Sequence, residues 1–309
     1  MSLSFNQSVI EEFRSHAGKV GGPFAGGDLL LLTTTGARTG RPHTTPLGYV
    51  ADGDRLLVVG SNLGAPSHPA WYRNLLVRPV VDVEVGTEKY EAIAVPAEGA
   101  RRDALFELIV RVAPGYGDYQ AATERVLPVV ALERSEAPAG EGPAEVNTLA
   151  DKILEVHTWL RHQLREVRAE ADAHFAASAA HRASGQPGGP PAPGLGLQIR
   201  QRCLAFCQAL EFHHTGEDGH VFPVMAGYHP HLADVFERLR EEHLAIGAVQ
   251  SELAALLDGV GATVPERFRT ELARMSQQLN AHFAYEEEQL LPVLADVPWP
   301  PAKGPDTAP

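Results

Sequence analysis

Two short stretches pair a histidine with a carboxylate at the spacing of one helical turn. HHTGEDGHVFP carries His213 and Glu217, and HFAYEEEQLLP carries His282 and Glu286. In each, a proline follows the glutamate by six residues, Pro223 in one and Pro292 in the other. Residues four apart share a helix face. Two such stretches in the same register read as halves of one site.

Apolar residues at helical spacing trace four stripes through this part of the chain. The first runs Ile153, His157, Leu160, Leu164, Val167. The second runs Ile199, Cys203, Phe206, Leu210, His213, Glu217, Val221, Val224. The third runs Phe236, Leu239, His243, Ile246, Leu253. The fourth runs Leu272, Met275, Leu279, His282, Glu286, Leu290, Val293. Most steps are three or four residues, which puts each set on one core-facing side of a helix. Four histidines and two glutamates therefore lie inside core stripes.

A single core histidine is usually satisfied structurally, but a buried carboxylate is costly unless it is paired or binds a metal. Six such groups imply a shared cation site. One metal does not need this many ligands, whereas two metals bridged by carboxylates use them all. Mixed imidazole and carboxylate ligands suit iron or manganese. His214 and Asp218 form a competing pair one residue off the stripe. His162, His174, His181, His220, His229 and His231 lie off the stripes or near helix ends and read as solvated or supporting groups.

The elements around this site follow from pattern breaks. SEAPAGEGPAE, Ser135 to Glu145, is a Pro/Gly/Ala/Glu linker, after which the period becomes helical, with Asn147 as N-cap. ASGQPGGPPAPGLG breaks the first long helix, and three more follow at about 197–226, 231–258 and 265–294. Four long helices define an up-down four-helix bundle over 147–297, with 298–309 as a disordered tail. Residues 145–297 resemble a hemerythrin-type HHE cation-binding domain. That resemblance implies a non-haem di-iron centre that binds or senses oxygen or handles iron, with ligands at His157, His213, Glu217, His243, His282 and Glu286. Oxygen-carrying hemerythrins have a second histidine where Gly247 stands, so the resemblance implies an open position on one iron and favours redox or sensing roles.

Residues 1–134 read differently. β-rich runs DLLLLTTTG, TTPLGYVADGDRLLVVGS and VVDVEVGTEKYEAIAVPA alternate with short helices VIEEFRSH, HPAWYRNLLVRP and GARRDALFELIVRVA, and RVLPVVALE closes the unit as a strand. Strands dominate, and long crossover helices are missing, so the expected fold is a small antiparallel barrel or roll. TTTGARTGRPHTTPL turns through Gly36 and Gly40 with Arg38, Thr39 and Arg41 at the bend. Backbone amides, hydroxyls and guanidiniums there suit a phosphate, and the same residues also suit a charged surface hairpin. Trp71 serves as a flat apolar wall or as core, and Tyr116 and Tyr119 as cleft hydroxyls or packed aromatics.

The order LLLLTTTGARTGRPHTTPL, WYRNL followed by RP, GYGDY and RVLPVV resembles the deazaflavin-dependent nitroreductase family, with its split β-barrel and coenzyme F420. The resemblance covers residues 5–134. It implies cofactor contacts at Ala37, Arg38 and Thr39 on the phosphate end, at His43, Thr44, Thr45, Pro46, Leu47 and Gly48, at Val59, Gly60, Ser61 and Asn62, at Ala70, Trp71, Tyr72, Arg73 and Asn74, and at Tyr116. Tyr116 and Ser61 are the candidate catalytic donors to a quinone, nitro or enone acceptor. The family often has lysine where Arg38 stands, and some members carry a tyrosine where Ala113 stands. Barrels of this family often dimerise.

Composition bounds the partners. The 309 residues carry a net charge of −13, divided as −3 over residues 1–140 and −10 beyond, which argues against nucleic acid and anionic membranes. Cys203 and Cys207 are neither a CxxC pair nor a disulfide framework. The opening MSLSFNQSVIEEF has no basic n-region, and apolar runs such as LLLL at Leu29 to Leu32 are far too short to span a bilayer, so the expected location is the cytoplasm. The expected function is an F420H2-dependent oxidoreductase fused to a di-iron bundle that accepts electrons for, or senses, oxygen or peroxide. The alternatives are an oxygen or iron sensor whose barrel only binds cofactor, and an iron-storing bundle with a vestigial barrel.

Overall fold

The computed structural model describes residues 5–135, 140–183, 196–257 and 265–300. The expected breaks at 135–145, 183–196 and 258–265, the tail beyond Pro300, and the side chains of His174 and His181 lie wholly or partly outside them. The chain divides into two compact units, residues 1–135 with 173–205, and residues 136–172 with 206–309.

The first unit holds a closed six-stranded antiparallel barrel in the order β1-β2-β3-β6-β5-β4. The strands are β1 Leu29–Thr35, β2 Pro42–Asp52, β3 Arg55–Val59, β4 Val80–Val85, β5 Glu88–Pro96 and β6 Val129–Arg134. The expected hairpins join β2 to β3 and β4 to β5, with Gly53 and Gly86 supplying the positive φ that their turns require.

The unbroken LLLL of β1 has a simple cause. Leu30 and Leu32 point into the barrel, while Leu29 and Leu31 pack under α1 Phe5–Ser15 through Val9, Ile10 and Phe13. A strand covered on both faces loses its polar alternation. β3 and β6 show the same effect: Val58, Val130 and Leu132 face inward, and Leu57, Val59, Val129 and Ala131 pack with Ile109 of α3 Gly99–Val112. α2 Ala70–Leu75 sends Trp71, Tyr72 and Leu75 into the inner cluster. The GYGDY stretch, read from sequence only as a pair of tyrosines beside glycines, forms a short helix, α4 Gly115–Ala121.

The long helices are α5 Leu149–Ala183, α6 Gly196–Gly216, α8 Ala233–Leu257 and α9 Pro265–Leu294, a helical bundle. The N-cap of α5 is Thr148 rather than Asn147. Thr148 Oγ1 accepts from the Asp151 amide at 3.1 Å, and Asp151 accepts from the Thr148 amide at 2.9 Å. This reciprocal box satisfies two amides that Asn147 would leave open. Residues 297–299 pair with the start of α5. The Leu149 amide donates to Val297 at 2.7 Å and the Trp299 amide to Asn147 at 2.8 Å, so Pro298 and Trp299 belong to the helical unit instead of a tail.

One helix departs from the expected register. Residues Glu217–Val221 form a π-turn between α6 and α7 Phe222–Tyr228, with the Phe222 amide bonding the Glu217 carbonyl. The extra residue advances the buried face by one. Phe222 and Met225 are buried, and Val224, placed by sequence on the core stripe, is 58% exposed. Pro223 has no amide to give, which fits a segment where the α ladder is interrupted.

Candidate functional sites

The helical unit gathers its buried polar groups in two adjoining sets. His157, His213, Glu217 and Glu286 place ligand-type atoms within 4.8 Å of one another, and so do His214, His243 and His282. All six residues expected from the stripes are present. The seventh, His214, was read from sequence as off the stripe. It is 6% exposed and stacks on His243 at a ring separation of 3.9 Å. His214 comes from α6 and Gly247 from α8, and a Cβ at Gly247 would meet nothing within 4 Å.

The carboxylates lie between the two sets. Glu217 turns Oε1 to His213 Nε2 at 3.3 Å and Oε2 to His243 Nε2 at 3.6 Å. Glu286 Oε2 lies 3.5 Å from both His157 Nε2 and His282 Nε2. Glu217 and Glu286 are 3% and 0% exposed, yet none of their four oxygens has a hydrogen-bond partner among the described residues. Nε2 of His214, His243 and His282 is likewise buried and unpaired. So many buried, unsatisfied donors and acceptors would cost several kcal/mol in total. Cations held by these groups would satisfy them, so the residues fit a metal centre.

Electrostatics agree. Burial, with the charge of Glu286 close by, pushes Glu217 well up, while Glu286 is held low because the nearby histidines outweigh its burial. Burial, reinforced by His157, pushes His213 down to about 3, and burial also lowers His214 and His243. These imidazoles are neutral at neutral pH, the form that binds metal. Around them lies a ring of carboxylates. Burial alone would raise Glu287 and Glu242, but hydrogen bonds from His157 and Arg161 to one, and from His282 and Arg238 to the other, leave both below the usual range.

In the barrel, Asn74 connects α2 to the β1–β2 turn. Its Oδ1 accepts from the Ala37 amide at 3.1 Å, and its Nδ2 donates to Thr34 Oγ1 at 3.1 Å. The amides of Gly36, Gly40 and Arg41 are also used within the turn. Of the amides expected to be open to an anion, those of Arg38 and Thr39 remain. Arg38, Arg41 and Arg73 are exposed, with no carboxylate partner among the described residues, which fits a phosphate-bearing cofactor. A side chain at Gly36 would meet Thr39 Oγ1 at 2.5 Å and His43 at 3.2 Å.

The other barrel residues fall in several places. On β2, His43 is exposed, Pro46 is buried, and Thr44, Thr45, Leu47 and Gly48 are half-buried. Tyr116 donates to the Gly48 carbonyl at 3.4 Å, and its pKa is raised by burial. Trp71 and Tyr72 are 5% and 9% exposed and belong to the barrel core, which leaves Ala70, Arg73 and Asn74 as the accessible part of α2. Val59 and Gly60 are buried, and Ser61 opens a loop in which Asn62 and Leu63 both have positive φ.

Arg125 clamps this loop, a role its sequence context did not signal. It donates to Ser61 O at 2.5 Å, to Ala65 O at 2.8 Å and to His68 Nδ1 at 3.1 Å. Burial, then Arg125, lowers the His68 pKa, and the imidazole accepts through Nδ1.

The chain thus joins a closed antiparallel barrel with a basic turn to a helical bundle with a buried imidazole–carboxylate cluster. The F420H(2)-dependent quinone reductase profile matches residues 6–134, and the hemerythrin HHE cation binding domain profile matches residues 148–294. An F420H(2)-dependent quinone reductase of Mycobacterium tuberculosis is 39% identical over 126 residues, which are 40% of this chain and 85% of that protein. A solved F420-H2 dependent reductase is 36% identical, with a TM-score of 0.33, and the match covers 34% of this chain and 94% of that one. The chain belongs to the F420H(2)-dependent quinone reductase family of F420-dependent oxidoreductases and carries a hemerythrin HHE domain after the barrel. The nitroreductase label expected from sequence narrows to quinone reductase. No helix among the described residues is long and apolar enough to cross a membrane.

Proposed function

We propose that residues 1–134 form an F420H2-dependent reductase domain for a quinone-type acceptor, and that residues 147–297, reached through 135–146, hold two iron ions that accept electrons for or sense oxygen or peroxide. The observation that carries the metal reading is the placement of Glu217 and Glu286 between the two histidine sets, with every carboxylate oxygen buried and unpaired. In this reading His157 and His213 serve one ion. His214, His243 and His282 would hold the other, with Glu217 and Glu286 within reach of both sets. Bound deazaflavin supplies hydride. The β1–β2 turn, with Arg38, Thr39 and Arg41, holds its phosphate end, and Asn74 fixes the turn. Tyr116 or Ser61 gives the acceptor a hydrogen bond or proton. Metal analysis of the purified chain tests the first half: two equivalents are expected, and one or none would overturn it.

Anaerobic oxidation of reduced deazaflavin by the iron-loaded protein, followed by admission of oxygen, tests the link between the halves, with His213→Ala as control. Oxygen-triggered turnover in the wild type alone supports electron transfer through the bundle. Binding of both groups without turnover favours the sensor reading, or a reductase that needs a separate organic acceptor.

A further inference from the structure

Three metal-facing histidines share an arrangement that the ligand set does not require. His157 Nδ1 donates to Glu287 Oε1 at 2.8 Å, His282 Nδ1 to Glu242 Oε2 at 2.9 Å, and His243 Nδ1 to Asp218 Oδ1 at 3.0 Å. In each case Nε2 is the atom turned toward Glu217 or Glu286. Two of the three carboxylates are in turn held by arginine. Arg161 donates to Glu287 at 2.7 Å, and Arg238 donates to Glu242 Oε1 at 2.9 Å. The three come from different segments: Glu287 from α9, Glu242 from α8 and Asp218 from the π-turn.

We propose that Glu287, Glu242 and Asp218 are positioning residues that fix the tautomer and ring angle of His157, His282 and His243, so that each offers its Nε2 lone pair inward. The proposal rests on the metal reading above. An ionised carboxylate only accepts hydrogen bonds, so it demands the proton at Nδ1. A neutral imidazole has one N–H, and placing it at Nδ1 leaves Nε2 bare. The anionic partner also makes the ring a stronger donor to a cation. Arg161 and Arg238 keep two of the carboxylates charged and aimed. Arg161 is the less exposed of the two, 26% against 55% for Arg238.

Binding of Co(II) to the metal-free full chain tests this without reference to turnover. Affinity is read by competition with a chromophoric chelator, and ligand geometry by the visible d–d band. The variants are Glu287→Ala, Glu287→Gln, Glu242→Ala and Glu242→Gln, with the surface substitution Glu252→Ala as control. The alanine variants are expected to bind about 10- to 100-fold more weakly with a displaced band. The glutamine variants keep a carbonyl acceptor without the charge, so they should fall between alanine and wild type. Glu252→Ala should match wild type. Wild-type affinity and an unchanged band in all four variants would overturn the proposal. If the alanine variants fail to fold by circular dichroism, the glutamine pair decides on the same criterion. A wild-type chain that takes up no Co(II) would instead overturn the metal reading itself.

Discussion

His213 and His214 are sequence neighbours, yet both present ring nitrogens to the same cluster. Adjacent helix positions differ by about 100°, so a stripe drawn through His213 excludes His214. The signal that the stripe excludes is the HH dipeptide itself, one turn before Glu217, where the two rings lie tilted by 39° with centroids 5.6 Å apart. Replacing His214 with alanine is expected to remove one metal from the chain. The loss should exceed the roughly 10- to 100-fold effect of an outer partner, as read by metal analysis and competition titration. In the barrel, Tyr116 keeps its proton through neutral pH because burial raises its pKa. Tyr116→Phe is expected to lower kcat for quinone reduction by about 100-fold. A steady-state assay that shows no change would remove Tyr116 from the chemistry.

Among elements, periodicity read the straight helices well. The buried histidines and glutamate on α5, α8 and α9 stand where their stripes put them, at His157, His243, His282 and Glu286, whereas Gln163 of α5 is buried off its stripe. It failed where the period changed. The π-turn at Glu217–Val221 moved the core from Val224 to Phe222 and Met225, and apolar residues at 221, 222, 224 and 225 left the sequence ambiguous between the two registers. Deleting Gly219 would restore the α spacing from Glu217 to Phe222. Metal content is expected to fall while helix content by circular dichroism holds. Strand elements were legible for another reason: the hairpin turns announce themselves through glycine, but the short helix over GYGDY lacks an apolar stripe to reveal it. The docking of α1 on β4 gives an acid-sensitive contact. Arg14 pairs with Glu84 at 2.5 Å, and the hydrogen bond from Arg14, with burial opposing, holds Glu84 below its usual range. A depressed carboxylate pKa contributes stability that is present above the unfolded value and lost as pH falls through the folded one. Glu84→Gln should therefore flatten the acid side of the barrel's stability profile below about pH 4.5, by no more than about 1 kcal/mol for so exposed an arginine. Denaturant midpoints from pH 3 to 6, on the order of one unit apart, would check it.

At the scale of the whole molecule, the buried cluster ties stability to metal supply. Four carboxylate oxygens and three imidazole nitrogens of the cluster are buried with no hydrogen-bond partner among the described residues. Metal that binds the folded form alone adds about 2.7 kcal/mol when free metal is 100 times its Kd. Thermal unfolding of the helical unit, followed with and without anaerobic Fe(II), is expected to shift upward accordingly. An unchanged transition would mean the cluster does not bind at these concentrations.

The pairing of residues 297–299 with residues 147–149 carries a different implication. The helical unit begins and ends at the same spot, clasped by backbone hydrogen bonds. Such a unit is a cassette: it can be joined to another protein, or spliced between two, without pulling its own ends apart.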